Sequence, residues 1–376
     1  MNSAKFDVAY LSIDSIQEGV GSSQITPLVM GLAAQGKKVC LVTFEKSAPS
    51  PELVDRIQKS GVVWKRREFG RTGSIGGISR LRDLRRNVPD ADVLHGRSDI
   101  PTAAAIWSGV QAPVLWDVRS LWSDQRQLIG TQGWNSITAR GARSLENTSA
   151  KHAKAMTTLT AAVLPILQTR HSRLPAIREV IPTCVQTSKF VSSPMPKGQM
   201  ICLLSGTFNN YYDINRTRQI IEAIRKSINL KVIWVRAGES PDTRLGVGED
   251  LVVSASHTEM PDLVKMAHFG MAICKEDDLG SLAAAVPTKI GEFLASGRPV
   301  IVSKGIGDLD TFFKDSKAGI VVSREASLDG LATQIKNLIA DPEAPDHCRN
   351  LAMEHFDMEK AITIYSNVYM RMLETG

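Results

Sequence analysis

The N-terminal half of this 376-residue chain repeats one pattern, in which a short β-rich run is followed by a turn and a helical segment. Residues 6–12 predict a strand, 22–35 a helix that ends at Gly36, and 38–44 the next strand. Further strands are predicted at 62–65, 93–95 and 114–117, with helices at 78–86 and after Pro101. Because such alternation gives parallel strands covered by helices on both faces, it predicts a doubly wound α/β sheet.

A second series of the same kind begins after residue 198. Its predicted strands are 200–205, 230–235, 251–253, 270–274, 300–302 and 319–322, and its helices are 214–226, 261–266, 289–296, 309–313, 331–340 and 362–373. Residues 180–185 are predicted to be the last strand of the first domain, and 192–198 have the Ser and Pro content of a linker. The chain is long enough for two domains. We therefore predict two Rossmann-like domains facing across a cleft, with ligands at the carboxyl ends of the strands.

Composition limits the class of protein. The 43% hydrophobic and 22% charged residues are typical of an ordinary globular chain. No run approaches the about 20 apolar residues that span a bilayer, and the first residues lack the pattern of a secretory signal. The five cysteines are scattered without a C-x-x-C spacing. These features predict a cytoplasmic location and no structural zinc.

Positive charge is concentrated between Arg56 and Arg97, a stretch that contains eleven Lys or Arg and four Asp or Glu. The stretch from Lys65 to Arg86 could be a solvated helix face, or it could bind an anionic partner such as a phosphorylated acceptor or lipid headgroups. We do not expect nucleic acid as a partner, because the stretch has almost no aromatic residues on which bases could stack.

The loop 15–23 contains Gly19, Gly21 and Ser22 between the first strand and the first helix. Glycines allow close approach of the backbone to a ligand, and the N-terminus of a helix attracts phosphate. The loop does not match G-x-G-x-x-G, because Gln24 stands where the third glycine would be. A tight turn that needs glycine explains the same residues.

The segment 287–302 reads PTKIGEFLASGRPVIV, and its predicted helix places Lys289 and Glu292 three residues apart on one face. A carboxylate there could accept hydrogen bonds from the two hydroxyls of a ribose, and an ammonium group could meet a diphosphate. An exposed ion pair between the two side chains is the alternative explanation.

This segment closely resembles the donor-binding segment of glycosyltransferase family 4, whose members are retaining enzymes of GT-B fold that use nucleotide sugars. Residues 21–39 resemble that family's first glycine loop and helix, and 180–190 resemble the strand that ends its N-terminal domain. His355, Phe356 and Tyr365 resemble its closing segment, which returns to the first domain. The resemblance covers nearly the whole chain in the expected order. It implies a GT-B fold with domains at 1–190 and 199–355 and a C-terminal helix at 356–376.

The resemblance also implies that the second domain binds most of the donor and the first domain the acceptor. Glu292 would bind the ribose, while the diphosphate would lie near Thr288 and Lys289, the turn Ser205, Gly206, Thr207, and, from the first domain, Gly21 and Ser22. Two departures from the family pattern stand out. Ala284 occupies the place of a Glu that contacts the donor sugar, and residues 209–212, Asn-Asn-Tyr-Tyr, occupy the place of a basic pair.

A third group of candidate residues follows the predicted strands at 93–95 and 114–117. Arg119 lies close to the place of the family's sugar-contacting His, and a bacterial subgroup shares the Asp-x-Arg-x-x-Trp arrangement of Asp117, Arg119 and Trp122. His95, Arg119 and Asp117 are predicted to be catalytic, because fixed positive charge can stabilise a departing diphosphate. Arg97, Trp122 and Arg126 are predicted to contact the acceptor. A salt bridge between Asp117 and Arg119, and a purely structural His95, remain open alternatives.

We therefore expect transfer of a sugar from a UDP- or GDP-sugar to a hydroxyl of a glycan, a lipid-linked or a small-molecule acceptor, with retention at the anomeric carbon. No D-x-D pair stands at the carboxyl end of a predicted strand, and Asp277 and Asp278 are adjacent, so no metal or other cofactor is expected. A nucleotide-sugar epimerase and a non-catalytic binding or scaffold protein are the alternatives. The basic stretch predicts peripheral, salt-sensitive attachment to the inner face of an anionic membrane.

Overall fold

The computed structural model describes residues 5–17, 19–128, 137–209, 211–237, 245–275 and 280–374. The chain forms two compact units, Met1–Pro182 with Met358–Gly376, and Thr183–Asp357. Each unit contains one sheet with the surrounding helices, which confirms the predicted α/β class.

The first unit contains a seven-stranded parallel sheet of order β3-β2-β1-β4-β5-β6-β7. Its strands are β1 (Phe6–Leu11), β2 (Val39–Glu45), β3 (Val63–Glu68), β4 (Ala91–Arg97), β5 (Val114–Val118), β6 (Ala155–Thr158) and β7 (Ile177–Val180). Every residue of β2 is buried, as expected for an apolar strand inside a parallel sheet. Since β1, β4 and β5 are neighbours, side chains at their carboxyl ends are brought together.

Helices cover this sheet. They are α1 (Thr26–Ala34), α2 (Pro51–Lys59), α3 (Gly73–Arg86), α4 (Asp99–Trp107), α5 (Trp122–Leu128), α6 (Ile137–His152), α7 (Leu164–Arg170) and the C-terminal α14 (Met358–Glu374). A π-helical turn, Gly21–Ile25, precedes α1 where the sequence predicted continuous helix. Helix α14 packs on α1 so closely that a Cβ built on Gly31 would lie 2.1 Å from Ile362 Cδ1. Among the described residues, no helix combines the length and the apolar character needed to span a bilayer.

The second unit contains a six-stranded parallel sheet of order β10-β9-β8-β11-β12-β13. Its strands are β8 (Met200–Ser205), β9 (Leu230–Ala237), β10 (Leu251–Ala255), β11 (Phe269–Ala272), β12 (Val300–Ser303) and β13 (Gly319–Val322). Its helices are α8 (Ile214–Arg225), α9 (Met260–Met266), α10 (Thr288–Ala295), α11 (Leu309–Phe313), α12 (Leu331–Ala340) and α13 (Ala344–His355). A Cβ on Gly270 of β11 would lie 2.3 Å from the Phe293 ring, so α10 packs directly on the sheet.

The boundary between the units differs from the prediction. Strand β7 ends at Val180, and residues 183–190, predicted in the first domain, belong to the second unit. The Arg349 guanidinium explains this, because it donates to the carbonyl oxygens of Thr187 and Phe190 at 3.0 and 2.8 Å. The Thr187 hydroxyl also donates to Asp357 Oδ1 at 2.5 Å. These contacts are between residues far apart in the sequence, which a local pattern does not reveal.

Candidate functional site

In the second unit, the turn after β8 and the start of α10 form a candidate anion site. Gly206 has φ +139°, a conformation that favours glycine, and a Cβ there would lie 2.7 Å from the Lys289 Nζ atom. The backbone of the turn therefore lies directly against the lysine. The predicted donor residues Ser205, Gly206 and Lys289 are brought together, with Ser205 buried and Thr207 exposed.

Lys289 and Glu292 do not form the exposed ion pair that was the alternative explanation. Both side chains are buried, with residue exposures of 7% and 6%, and neither makes a hydrogen bond or salt bridge with another described residue. Burial lowers the pKa of Lys289 to about 8, against the opposing influence of Cys274 and Glu292. Burial likewise raises the pKa of Glu292 to about 7, against the influence of Lys289. Two buried charges with unused hydrogen-bonding capacity are typical of a ligand site.

The remaining donor predictions have mixed outcomes. Thr288 begins α10 and is half-buried. Ala284, at the place of the family's sugar-contacting Glu, is buried at 2% exposure. Asn209, Tyr211 and Tyr212 follow the Gly206 turn, whereas Asn210 lies outside the described residues. The missing basic pair is therefore replaced by a stretch with two tyrosines.

In the first unit, Asp117 is the centre of a buried polar cluster at the carboxyl ends of β1, β4 and β5. Its Oδ1 atom accepts hydrogen bonds from Thr157 Oγ1 at 3.0 Å and from Tyr365 Oη at 3.3 Å. Its carboxylate also lies 3.3 Å from His95 Nε2 and 3.6 Å from Arg119. Burial would raise the pKa of Asp117, but Arg119, His95 and Arg97 outweigh it and hold the pKa well below its usual range.

Two of the predicted catalytic residues are fully buried. His95 and Asp117 are 0% and 1% exposed, and their catalytic role stays a prediction. His95 Nδ1 lies 2.7 Å from the Tyr369 hydroxyl, and the imidazole packs on the Tyr10 ring. Burial lowers the pKa of His95, which keeps the ring neutral at pH 7. These contacts fit the structural interpretation of His95, which the sequence left open.

Two arginines, Arg97 and Arg119, contact the Asp117 carboxylate. Arg119 pairs with Asp117, which is the salt bridge that the sequence left open as an alternative, and donates to Gln24 Oε1 at 3.2 Å. Arg97 donates through Nε to Asp14 Oδ2 at 3.2 Å and lies 3.9 Å from Asp117. Trp122 begins α5 and is half-buried, while the side chain of Arg126 lies outside the described residues.

The glycine loop proves to be a packed turn. A Cβ on Gly21 would lie 1.8 Å from the Ser15 carbonyl oxygen, so the glycine is required for close packing of backbone on backbone. Ser22 Oγ donates to the Gly19 carbonyl at 3.0 Å. Glu45 at the end of β2 accepts hydrogen bonds from Ser15 Oγ at 2.5 Å and Gln17 Nε2 at 3.0 Å. The tight-turn explanation of Gly21 therefore fits the geometry.

Several residues of these sites were missed. Tyr365 and Tyr369 contact Asp117 and His95 from α14, more than 240 positions along the chain. A second buried cluster joins Asp124 to Arg143 and Arg170, and Glu146 to His171. The only available signal was the i,i+4 spacing of the two tyrosines, which places them on one face of a helix.

One group of side chains could hold a metal ion. Ligand atoms of Asp341, Glu343 and His347 lie within 4.8 Å of one another before and at the start of α13. All three are at least partly exposed, as carboxylates without a metal commonly are. Asp277 and Asp278 lie outside the described residues.

Solved structures share this architecture. Sucrose-phosphate synthase from Thermosynechococcus elongatus is 14% identical with a TM-score of 0.73, covering 98% of this chain and 99% of its own. Anabaena HepE, in complex with UDP and glucose, is 12% identical with a TM-score of 0.70, covering 97% of this chain and 100% of its own. WaaG, a glycosyltransferase involved in lipopolysaccharide biosynthesis, is 15% identical with a TM-score of 0.66, covering 95% and 99%. No curated protein sequence matches the chain significantly.

The two parallel sheets and this full-length likeness define a protein of GT-B fold. Residues 21–184 match the family model described as a glycosyl transferase 4-like domain. This match lies almost entirely in the first unit and agrees with the fold, and the resemblance to family 4 is consistent with both.

Proposed function

We propose that the chain transfers a sugar from a nucleotide diphosphate sugar to an acceptor hydroxyl, with retention at the anomeric carbon. The observation that carries the proposal is the buried pair Lys289 and Glu292, whose charged groups have no hydrogen-bonding partner among the described residues. Anabaena HepE, which has the same fold, was solved with UDP and glucose, and this supports a nucleotide sugar as the donor.

Each candidate donor-binding residue of the second unit has a role in this proposal. The Glu292 carboxylate accepts hydrogen bonds from the ribose hydroxyls, and the Lys289 ammonium binds the diphosphate beside the Ser205, Gly206, Thr207 turn. As the bond between the anomeric carbon and the diphosphate oxygen breaks, negative charge grows on the leaving group. A lysine already fixed in a dry site stabilises that charge without reorganisation. No metal is needed for this step.

The first unit supplies the acceptor side in the same proposal. Arg119 and Arg97 are held at the strand ends by Asp117 and Asp14, and Trp122 and Arg126 follow in α5. The acceptor is a glycan, a lipid-linked sugar or a small-molecule alcohol. Because the Ala284 side chain cannot bind a sugar hydroxyl, recognition of the donor sugar falls to other residues.

UDP, GDP and ADP, added separately at saturating concentration, test the donor site by thermal shift. We expect one nucleotide to raise the midpoint of unfolding, because a ligand at about 100 times its Kd adds roughly 2.7 kcal/mol of stability. The matching nucleotide sugar should then be hydrolysed slowly or transferred. Absence of a shift with all three would contradict the proposed donor site, and binding without turnover of any sugar would favour a scaffold.

A second proposal concerns an anionic membrane surface as a partner. Helix α3 exposes Ile75 and Ile78, at 67% and 50%, beside exposed Arg82, Arg85 and Arg86. Not all of the basic stretch is available, because Arg80 is buried against the Phe69 ring and donates to the carbonyls of Phe69 and Arg71. Apolar side chains beside several cations are a suitable surface for acidic lipid headgroups.

Reversing Arg82, Arg85 and Arg86 to Glu should abolish sedimentation of the protein with vesicles that contain phosphatidylserine. Each cation near the surface contributes about 1 kcal/mol, so the triple reversal is expected to weaken binding by more than 100-fold. The matched control reverses Arg140, Lys151 and Arg173, exposed residues of the same unit, and should retain most of the binding. Equal binding by both variants, or binding unchanged by added salt, would count against this surface.

A further inference from the structure

The aromatic residues after the Gly206 turn surround Lys289. The Lys289 Nζ atom lies 4.1 Å from the centroid of the Tyr212 ring and 5.5 Å from that of the Phe208 ring. Within the described parts of the chain, no carboxylate oxygen lies within 4.0 Å of this ammonium. Two ring faces therefore lie beside this buried cation.

The backbone holds both rings in place. Phe208 has φ +48°, which is uncommon for an aromatic residue and carries a cost in free energy. Its ring packs on Trp234 at 5.3 Å and on Tyr212 at 6.2 Å between centroids. Tyr212 pairs with Cys274 in an antiparallel bridge, and its N–H donates to the Asn209 carbonyl at 3.0 Å. A strained residue whose ring supports another ring is consistent with a functional requirement for that position.

Ring faces and carboxylates have different effects on a phosphate-binding lysine. A carboxylate would attract the ammonium but would cancel most of its charge toward an incoming diphosphate. The face of an aromatic ring attracts a cation through its quadrupole, more strongly when water is excluded, and carries no net charge. When Lys289 is protonated, its charge is therefore not paired with a carboxylate and is left for the ligand.

We propose that Phe208 and Tyr212 form an aromatic seat that positions the Lys289 ammonium beneath the Gly206 turn, in place of the basic pair missing at 209–212. The inference rests on the proposed donor site. It assigns Tyr212 as a positioning residue, which acts through Lys289 and does not itself need to touch the donor. It also explains Gly206, since any Cβ there would occupy the space of the ammonium group.

The test measures the titration of Lys289 in the nucleotide-free protein, so it does not depend on donor binding. The pKa of Lys289 can be followed by NMR of the labelled ammonium group or by its rate of acetylation against pH. The other titratable groups that face it are Glu292 on α10, the Cys274 thiol, whose pKa burial raises to about 12, and the Tyr212 phenol, whose pKa burial raises well above its usual value. Between pH 7.5 and 10 the lysine is thus the main group to titrate here.

Replacing Tyr212 with Leu should lower the pKa of Lys289 by roughly 0.5 to 1, since a cation–π contact in a desolvated site is worth about that much. Tyr212→Phe, which keeps the ring face, should leave it unchanged. Phe312→Leu is the control, because Phe312 is an aromatic residue of the same unit that stacks on His355 instead. UDP affinity at pH 8 should fall about two- to fivefold in Tyr212→Leu, because the protonated fraction of Lys289 falls by that factor, and remain unchanged in Phe312→Leu.

Phenylalanines with increasing ring fluorination at position 212 provide a second series that preserves the shape of the side chain. The pKa of Lys289 should fall steadily as fluorine weakens the negative face of the ring. An unchanged pKa across this series and in Tyr212→Leu would overturn the aromatic seat. If wild-type protein failed to bind UDP, GDP or ADP while the lysine pKa still followed the ring, the donor site would be wrong and the seat would stand.

Discussion

Glu292→Gln is expected to stabilise the nucleotide-free second unit near neutral pH and to weaken nucleotide binding. The Glu292 carboxyl is buried, and burial raises its pKa from 4.5 to about 7. Between pH 4.5 and about pH 7 the folded state binds more protons than the unfolded state, so the free energy of unfolding falls as pH rises through this window. At about 1.4 kcal/mol for each pKa unit, the ionised carboxylate costs up to roughly 3 kcal/mol above pH 7.

Glutamine has nearly the shape of the protonated acid and does not ionise. The variant should therefore match the wild type at pH 4 and exceed its stability by about 1 to 3 kcal/mol at pH 7.5. Because Glu292 raises the pKa of Lys289, its replacement lowers that pKa from about 8, and this offsets part of the gain at pH 7.5. Hydrogen exchange of β8 to β12 measures the second unit alone, which avoids a two-state assumption for a chain with two units.

Nucleotide affinity should change in the opposite direction. Losing a charged acceptor for the ribose hydroxyls costs about 1 to 3 kcal/mol, which is roughly 5- to 150-fold in Kd. Glu222→Gln, at an exposed acid of α8, is the control and should change neither property. Unchanged nucleotide affinity in Glu292→Gln would mean that the ribose binds elsewhere. A loss of stability at pH 7.5 would mean that the carboxylate is supported by contacts stronger than its cost of burial.

Asp117→Asn is expected to destabilise the first unit by about 3 to 5 kcal/mol, since it removes one partner of a buried charge cluster. Arg97 and Arg119 would lose their shared buried carboxylate, with Asp14 and Gln24 as their remaining polar contacts. The amide also cannot accept equally well from Thr157 and Tyr365 while facing two guanidinium groups. Hydrogen exchange of β1, β4 and β5, or denaturant unfolding followed at those strands, gives the measurement.

The pH dependence has a definite sign. The folded pKa of Asp117 is lowered below its unfolded value, so its stabilising contribution is fully present above the unfolded pKa near 4 and is lost as pH falls through the folded value. Wild type and variant should therefore differ by a constant amount between pH 5 and 7 and converge in stronger acid. Asp14→Asn is the control, because Asp14 is 47% exposed and its pair with Arg97 should contribute less than about 1 kcal/mol. Equal losses in the two variants would contradict a central role for Asp117.

The residues of these two predictions were found from the sequence by different signals. Lys289 and Glu292 were found because α10 places residues three apart on one face, and this local rule held. Asp117 and His95 were found as polar residues at strand ends, and the sequence did not reveal that both side chains are buried.

The amino-acid sequence determined the alternation of strands and helices, the two parallel sheets and the helix that carries Lys289 and Glu292. Those features follow from local periodicity and from turn residues, which act within a few positions. Tertiary structure alone decided that Glu292 and Lys289 are buried, that Tyr369 reaches His95 from 274 positions away, and that residues 183–190 belong to the second unit. Burial and long-range pairing depend on which surfaces the whole chain packs together, and no local window contains that information.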